Sequence, residues 1–387
     1  MSGKIKTLKS CRPDNYRNTF ATTILAFAGL CTLFITACQT TTAPLKPAKP
    51  QILVTKPAIK QHDSICIAAV GDIMLGTSYP SAYSLPADSA KSSFASVLKE
   101  LRGADLTFGN LEGTLLDKGN PASYKKKMAK PYFFRMPTAY VGVLKDAGFD
   151  VVSMANNHSG DFGEQGRLST AKTLDSAGIN YGGLLVHPTS VFKLNGITYG
   201  FCAFAPNANT LPIMDLQSAA QIISELKKHA DIVIVSFHGG GEGVGYEHVP
   251  FKCESYLGQK RGDVHAFAHN AIDAGADVIF GNGPHVSRAI EKYKNRLIAY
   301  SLGNFCTYKS VSVDGVCGLS PLLKVYLNKK GEFLRGQIIA LRQTHLNGLQ
   351  RDTLNKVVAR IKALTLTDFP NSGLAIADNG EITSAED

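Results

Sequence analysis

The stretch VVSMANNHSGDFGEQG, residues 151–166, decides how the rest of the chain is read. An apolar run with the composition of a buried strand stops abruptly at Asn156, Asn157 and His158. A polar side chain buried without a partner costs about 1–3 kcal/mol. Such an ending is therefore either a polar turn or the wall of a ligand site. The same phrase recurs along the chain, in SICIAAVGD (64–72), GADLTFGNLEG (103–113), ADIVIVSFHGGGE (230–242), GADVIFGNGPHV (275–286) and RLIAYSLGNF (296–305). A further strand, ITYGFCAFAP (197–206), ends less polar. Short continuous apolar runs indicate strands covered on both faces. Amphipathic segments at 93–104, 137–148, 166–178, 218–230 and 264–276 supply the covering helices. Strand–helix alternation predicts an α/β layered fold. In each phrase the polar cluster follows the strand, at its carboxyl end, where open α/β sheets bind ligands.

The strand-end residues form a donor set: Asp72, Asn110, Glu112, Asn156, Asn157, His158, His238, Glu242 and His285. Carboxylate, amide oxygen and imidazole together suit one or two divalent ions such as Mn, Fe, Zn or Mg. Two such ions bridged by a carboxylate, with Glu112 or Asp72 as candidates, activate water and steady a transferring phosphoryl group. His187, His229, His248 and His269 belong to no motif and are expected on the surface or in the core. Gly239, Gly240 and Gly241 resemble a lipase oxyanion loop, but no G-x-S-x-G elbow accompanies them. No Walker motif is present, so no ATP site of that type is expected.

The motifs VGDIMLG, GNLEGTL, ANNHSGDFG, SFHGGGE, GNGPHV and IAYSLGNF, in this order over residues 65–306, resemble the CapA family of poly-gamma-glutamate capsule synthesis proteins, also called PgsA-like. That family is similar to the calcineurin-like metallophosphoesterases. The resemblance implies a four-layer α/β/β/α metallophosphoesterase-like sandwich with a small C-terminal extension. Residue by residue, it implies Asp72, Glu112, Asn157, His238 and His285 as metal ligands, with Glu112 bridging. It implies His158 as the acid that protonates the leaving group. Asn156, Asp161, Glu242, Asn282, Asn304 and Arg135 are candidates for supporting the ligands or touching substrate. Two imidazoles of the related phosphoesterases are missing: Met74 stands in place of the first-motif histidine and Gly283 lies two before His285. The resemblance implies either a metal-dependent hydrolase acting on a phosphoester or an anionic polymer, or a non-catalytic accessory subunit of a membrane synthetase.

The N-terminus has its own character. Lys4, Lys6, Lys9, Arg12 and Arg17 precede an apolar segment, 20–37, that ends in ITAC. The order is that of a secretory signal. The last four residues resemble a lipobox, which implies cleavage before Cys38 and lipid on its sulfur. A single membrane-spanning anchor is the other reading of an 18-residue apolar segment. Gln39 resembles the outer-membrane sorting signal of Gram-negative lipoproteins, placing the chain in the envelope, facing the periplasm. The expected organisation is a signal peptide (1–37), a Pro- and Thr-rich tether (38–62), the main domain (63–320) and a C-terminal hairpin and helix (321–387) on the same domain.

The chain carries 41 Lys/Arg and 31 Asp/Glu, a net +10, of which the first 37 residues contribute five and one. The remaining excess, about +6, is scattered, and no nucleic-acid partner is expected. The densest run, YKKKMAKPYFFRMP (124–137), reads as a solvated loop, with polyanion binding as the alternative. Cys66 and Cys202 sit in strands and are expected to be buried thiols. Cys306 and Cys317 flank a loop and are candidates for a disulfide.

Overall fold

The computed structural model describes residues 64–127, 131–345 and 348–385. The signal peptide and the whole of the tether, Cys38 included, lie outside the described residues. Among those described, no helix is long and apolar enough to cross a membrane.

The chain enters a first sheet with β1 (Ile65–Met74), β2 (Leu106–Leu111), β3 (Val151–Ser153) and β4 (Asn180–Gly182). It crosses to a second sheet for β5 (Thr189–Leu194), β6 (Ile197–Ala205), β7 (Ile232–His238), β8 (Val278–Asn282), β9 (Ile290–Tyr293) and β10 (Arg296–Ala299). It returns to the first with β11 (Asn304–Thr307), β12 (Leu319–Leu327), β13 (Phe333–Thr344), β14 (Gly348–Arg351), β15 (Leu374–Ile376) and β16 (Glu381–Ser384). Across the first sheet the order is β15-β16-β13-β12-β1-β2-β3-β4, with β11 on β1 and β14 on β13. Across the second it is β9-β10-β8-β7-β6-β5. The strands β1, β2, β3 and β4 are parallel, as are β6, β7, β8 and β10.

Strand sidedness builds four layers. Successive side chains on a strand face opposite ways. Ile65, Ile67 and Ala69 of β1 therefore join Phe108, Phe201, Ile234 and Phe280 in a core between the sheets. The Phe108 and Phe280 rings stack across it at 5.3 Å. Cys66, Ala68 and Val70 face outward beneath α1 (Leu98–Arg102), α2 (Val141–Ala147) and α3 (Gly163–Ala177). On the far side, Val233, Val235 and Phe237 lie beneath α4 (Leu216–Lys227) and α5 (Val264–Asp273). The result is the α/β/β/α sandwich that the resemblance implied.

The aspartates that precede β2, β3, β7 and β8 have a physical role. Asp105 accepts a hydrogen bond from the Cys66 amide, Asp150 from Thr107, Asp231 from Thr198 and Asp277 from Val233, each at 2.8 Å. Each carboxylate thus anchors the start of the neighbouring parallel strand and fixes its register. Helices α2 and α3 stop at Gly148 and Gly178 in the left-handed conformation that ends many helices. The polar carboxyl ends of both sheets then fall together.

The tail hairpin β12–β13 and a final helix, α6 (Lys356–Asp368), are present, and β12 pairs directly with β1 inside the first sheet. The phrase at 296–305 does not form one strand. β10 ends at Ala299 in the second sheet, and β11 begins at Asn304 in the first. Between them Gly303 packs so close to Gly71 that a Cβ on Gly71 would sit 1.9 Å from its carbonyl oxygen. Cys66 and Cys202 are buried thiols as expected, but Cys306 and Cys317 are unbonded. Both lie buried, and the Cys306 Sγ contacts the Ser93 carbonyl oxygen instead.

Candidate metal centre

Ladder register assembles the site. In β1, Asp72 lies between Asn110 of β2 and Asn304 of β11. In the second sheet His238 pairs with Asn282. Asn110 Nδ2 donates to Asp72 Oδ1 at 2.8 Å and lies 3.5 Å from His238 Nδ1. His285 Nδ1 lies 3.0 Å from both Asp72 Oδ2 and Asn304 Oδ1. Both partners are acceptors, so this nitrogen carries the proton and Nε2 faces Glu112 Oε1 at 3.6 Å. Asn304 in turn donates to the carbonyls of His285, Ser312 and Cys317. His285 itself has φ of 57°, a left-handed conformation rare for a residue with a side chain. Backbone strain of this kind clusters at functional sites.

Glu112 is fully buried and neither carboxylate oxygen has a hydrogen-bond partner. The same holds for Asn157 Oδ1, His238 Nε2 and Asn282 Oδ1. Buried polar atoms are nearly always satisfied. Four of these five atoms, on Glu112, Asn157 and His238, belong to residues expected to bind metal, and the set fits a divalent cation. Donor atoms of Asp72, Glu112 and His285 also lie within 4.8 Å of one another. The donor set is oxygen-rich with imidazole, as a Mn, Fe, Zn or Mg site requires.

Burial and neighbouring charges set the protonation of these groups. Burial pushes the Glu112 carboxyl well above its ordinary range; His285 opposes this and Asp72 adds to it. Burial alone would lower His285, but Glu112 and Asp72 override it and hold the imidazole well above its ordinary value. Burial, then the neighbouring His285, pushes His238 well down.

His158 stands at the other wall. Its Nδ1 lies 2.8 Å from Asp161 Oδ2, and its Nε2 is 3.9 Å from Glu112 Oε1. Phe134 stacks on the ring at 3.9 Å. Burial lowers its pKa; Asp161 opposes this and Lys125 reinforces it. Asn156 is a scaffold. It donates to Asn110 Oδ1 and the Leu111 carbonyl, and its own Oδ1 accepts the His158 amide.

The lysine run corrects a sequence reading. It is neither a free loop nor an open polyanion surface throughout. Lys125 is buried on Asp161, and the Phe134 amide also donates to Asp161. Residues Arg135–Met136 pair with Thr114–Leu115, just past Glu112. Arg135 donates through Nε and Nη2 to Ser78 and through Nη1 to the Gly119 carbonyl, so it braces a loop. Glu242 does not reach His238; it pairs with Arg261 at 2.8 Å, without the alignment of a hydrogen bond. Lys125, Phe134 and Arg261 were not singled out from sequence. Arg261 is buried with Nε and Nη1 unpartnered, and its charge helps to lower His238.

The two absent imidazoles also have a structural account. Met74 is fully buried on β1. Gly283 has φ of +117°, and a Cβ there would stand 2.8 Å from the Gly239 backbone nitrogen and oxygen. No histidine fits at that position.

Fold and site together define a four-layer α/β/β/α sandwich with a candidate metal centre at the carboxyl ends of its parallel strands. The chain belongs to the bacterial capsule synthesis protein family PGA_cap, whose profile matches residues 66–309. It is 35% identical over 270 residues to the PGA biosynthesis protein CapA of Bacillus subtilis (strain 168), covering 64% of this chain and 65% of that one. It is 30% identical over 267 residues to the capsule biosynthesis protein CapA of Bacillus anthracis, covering 64% and 60%. A probable polyglutamine synthesis accessory protein of Mycobacterium tuberculosis (strain CDC 1551 / Oshkosh) is 28% identical over 330 residues, covering 74% and 81%. The chain thus spans under two thirds of the length of the two Bacillus relatives.

Proposed function

We propose that this protein is a metal-dependent hydrolase of the cell envelope, working in capsule or poly-gamma-glutamate synthesis on a phosphoester or on a linkage of an anionic polymer. The observation that carries this reading is the set of unpartnered buried atoms on Glu112, Asn157, His238 and Asn282. Asp72, Glu112, Asn157, His238 and His285 would hold the ion. A divalent cation there supplies Lewis acidity and a bound water of lowered pKa. Asn110 and Asn304 orient Asp72 and His285. Asp161 fixes the His158 ring with Nε2 toward the centre. An arriving anion offsets the burial that disfavours the imidazolium, and protonated Nε2 then gives its proton to the leaving oxygen. General acid catalysis of this kind contributes about 10²–10⁴-fold. The lipobox-like ITAC segment supports attachment through lipid on Cys38, and Gln39 supports a place in the outer membrane facing the periplasm.

A second reading is an accessory subunit that binds the anionic polymer for a membrane synthetase. The site's missing imidazoles, at Met74 and Gly283, favour it, as does the name of the mycobacterial relative. The test is turnover of a phosphodiester probe and of gamma-linked glutamate oligomers by the metal-loaded protein and by His158→Ala. Turnover that collapses in the variant while metal content holds supports the hydrolase. Polymer binding without turnover of either probe supports the accessory reading.

A further inference from the structure

The helix-covered face of the second sheet carries another group of metal-capable side chains, sharing no residue with the centre described above. His265 and His269 lie one turn apart on α5, so both project from one side of the helix. Glu291 comes from β9. Its neighbour Ile290 packs into the core between the sheets, so Glu291 stands on the opposite face, beneath the helix. Donor atoms of all three residues lie within 4.8 Å of one another. His269 Nε2 is 3.1 and 3.0 Å from the two Glu291 oxygens. That is close to the roughly 3.3 Å between two ligands of a tetrahedral zinc ion with bonds of about 2.0–2.1 Å.

We propose that His265, His269 and Glu291 form a second divalent-metal site, selective for Zn²⁺ or a similar borderline ion over Mg²⁺. Two imidazoles and one carboxylate are a donor set for zinc; Mg²⁺ prefers an all-oxygen shell. Support around the ligands is already built. The Tyr300 hydroxyl donates to Glu291 Oε2 at 2.7 Å, which orients the carboxylate as outer partners do in metal sites. Tyr293 stacks on His269 at 3.7 Å and holds its ring. The His265 ring contacts Phe251, His269, Tyr300 and Phe369, and its side chain forms no hydrogen bond among the described residues, so its ring nitrogens remain available. The side chains of His269 and Glu291 are 23% and 12% exposed, which leaves an ion a way in. Three protein ligands leave a fourth position for water. Bound there, the ion ties α5 to the strand that leaves the loop carrying His285.

Zinc stoichiometry on the tag-free chain tests the proposal, with His269→Ala, Glu291→Gln and Glu112→Gln compared by calorimetry and elemental analysis. Circular dichroism verifies folding, and the near-isosteric Glu291→Gln serves if His269→Ala does not fold. The expected result is loss of about one equivalent in His269→Ala and in Glu291→Gln, with that equivalent kept in Glu112→Gln. Two results overturn the proposal: a Glu112→Gln chain that binds no zinc, or His269→Ala and Glu291→Gln chains that both keep the wild-type stoichiometry.

Discussion

Glu112→Gln should stabilise the metal-free protein while removing the stabilisation that an ion at this centre supplies. Glu112 is completely buried and both oxygens lack hydrogen-bond partners, so without a cation the fold must hide either a charge or an unsatisfied acid. An unsatisfied buried polar group costs about 1–3 kcal/mol, more when charged. The amide keeps the shape and removes the charge, so the gain should be about 1–3 kcal/mol. For a domain of this size that is roughly 2–6 °C in Tm. The sign with pH follows from the raised folded-state pKa. An acid of raised pKa leaves stability intact below its unfolded value, about 4.3, and removes it as pH rises through the folded value. The advantage of the variant should therefore widen as pH rises from about 4.3, and a comparison at about pH 5 and about pH 7 reads it. With this centre's ion at about 100 times its Kd the wild type gains about 2.7 kcal/mol that the variant lacks, and the order reverses. Thermal unfolding in chelator and in metal, at both pH values, reads all four states. A variant less stable than wild type in chelator at both pH values would refute the reasoning, because Glu112 would then be a satisfied structural group.

Three further outcomes follow from the geometry. Asn304→Ala removes the acceptor and the carbonyl clamp that hold His285, and should weaken metal binding about 10–100-fold, read by titration against a competing chelator. Gly283→Ala places a Cβ against the Gly239 backbone in a conformation that disfavours side chains. It should cost roughly 1–3 kcal/mol in denaturant unfolding. Metal affinity should fall as pH drops, because protons held on Glu112 and His285 must leave for the ion to bind; calorimetry in buffers of different ionisation enthalpy should register their release.

Much of the site was legible because its residues sit at strand ends, and strand ends are a local signal. The apolar run and following polar cluster at 148–158 say where Asn156 and His158 must lie before any long-range contact is known. The paired sheets were not legible in that way. Sidedness such as Ile67 toward one core and Ala68 toward another shows only once a second sheet is present. The break between β10 and β11 was hidden for a similar reason, since what splits 296–305 is the close passage of Gly71 against Gly303, residues far apart in sequence. Lys125 looked like one lysine among several; its burial on Asp161 is a contact across 36 residues. Arg135 read from sequence as a candidate substrate clamp; its bonds to Ser78 and Gly119, residues far off in sequence, add a loop-bracing role that the sequence did not show.

The most direct test of the metal centre is the metal content of the wild-type chain and of Glu112→Gln after exposure to Mn²⁺, Fe²⁺, Zn²⁺ or Mg²⁺ and removal of free ion. The account predicts that the wild type holds at least one equivalent more than Glu112→Gln for one of these ions. Equal content in the two chains, for every ion, would contradict it.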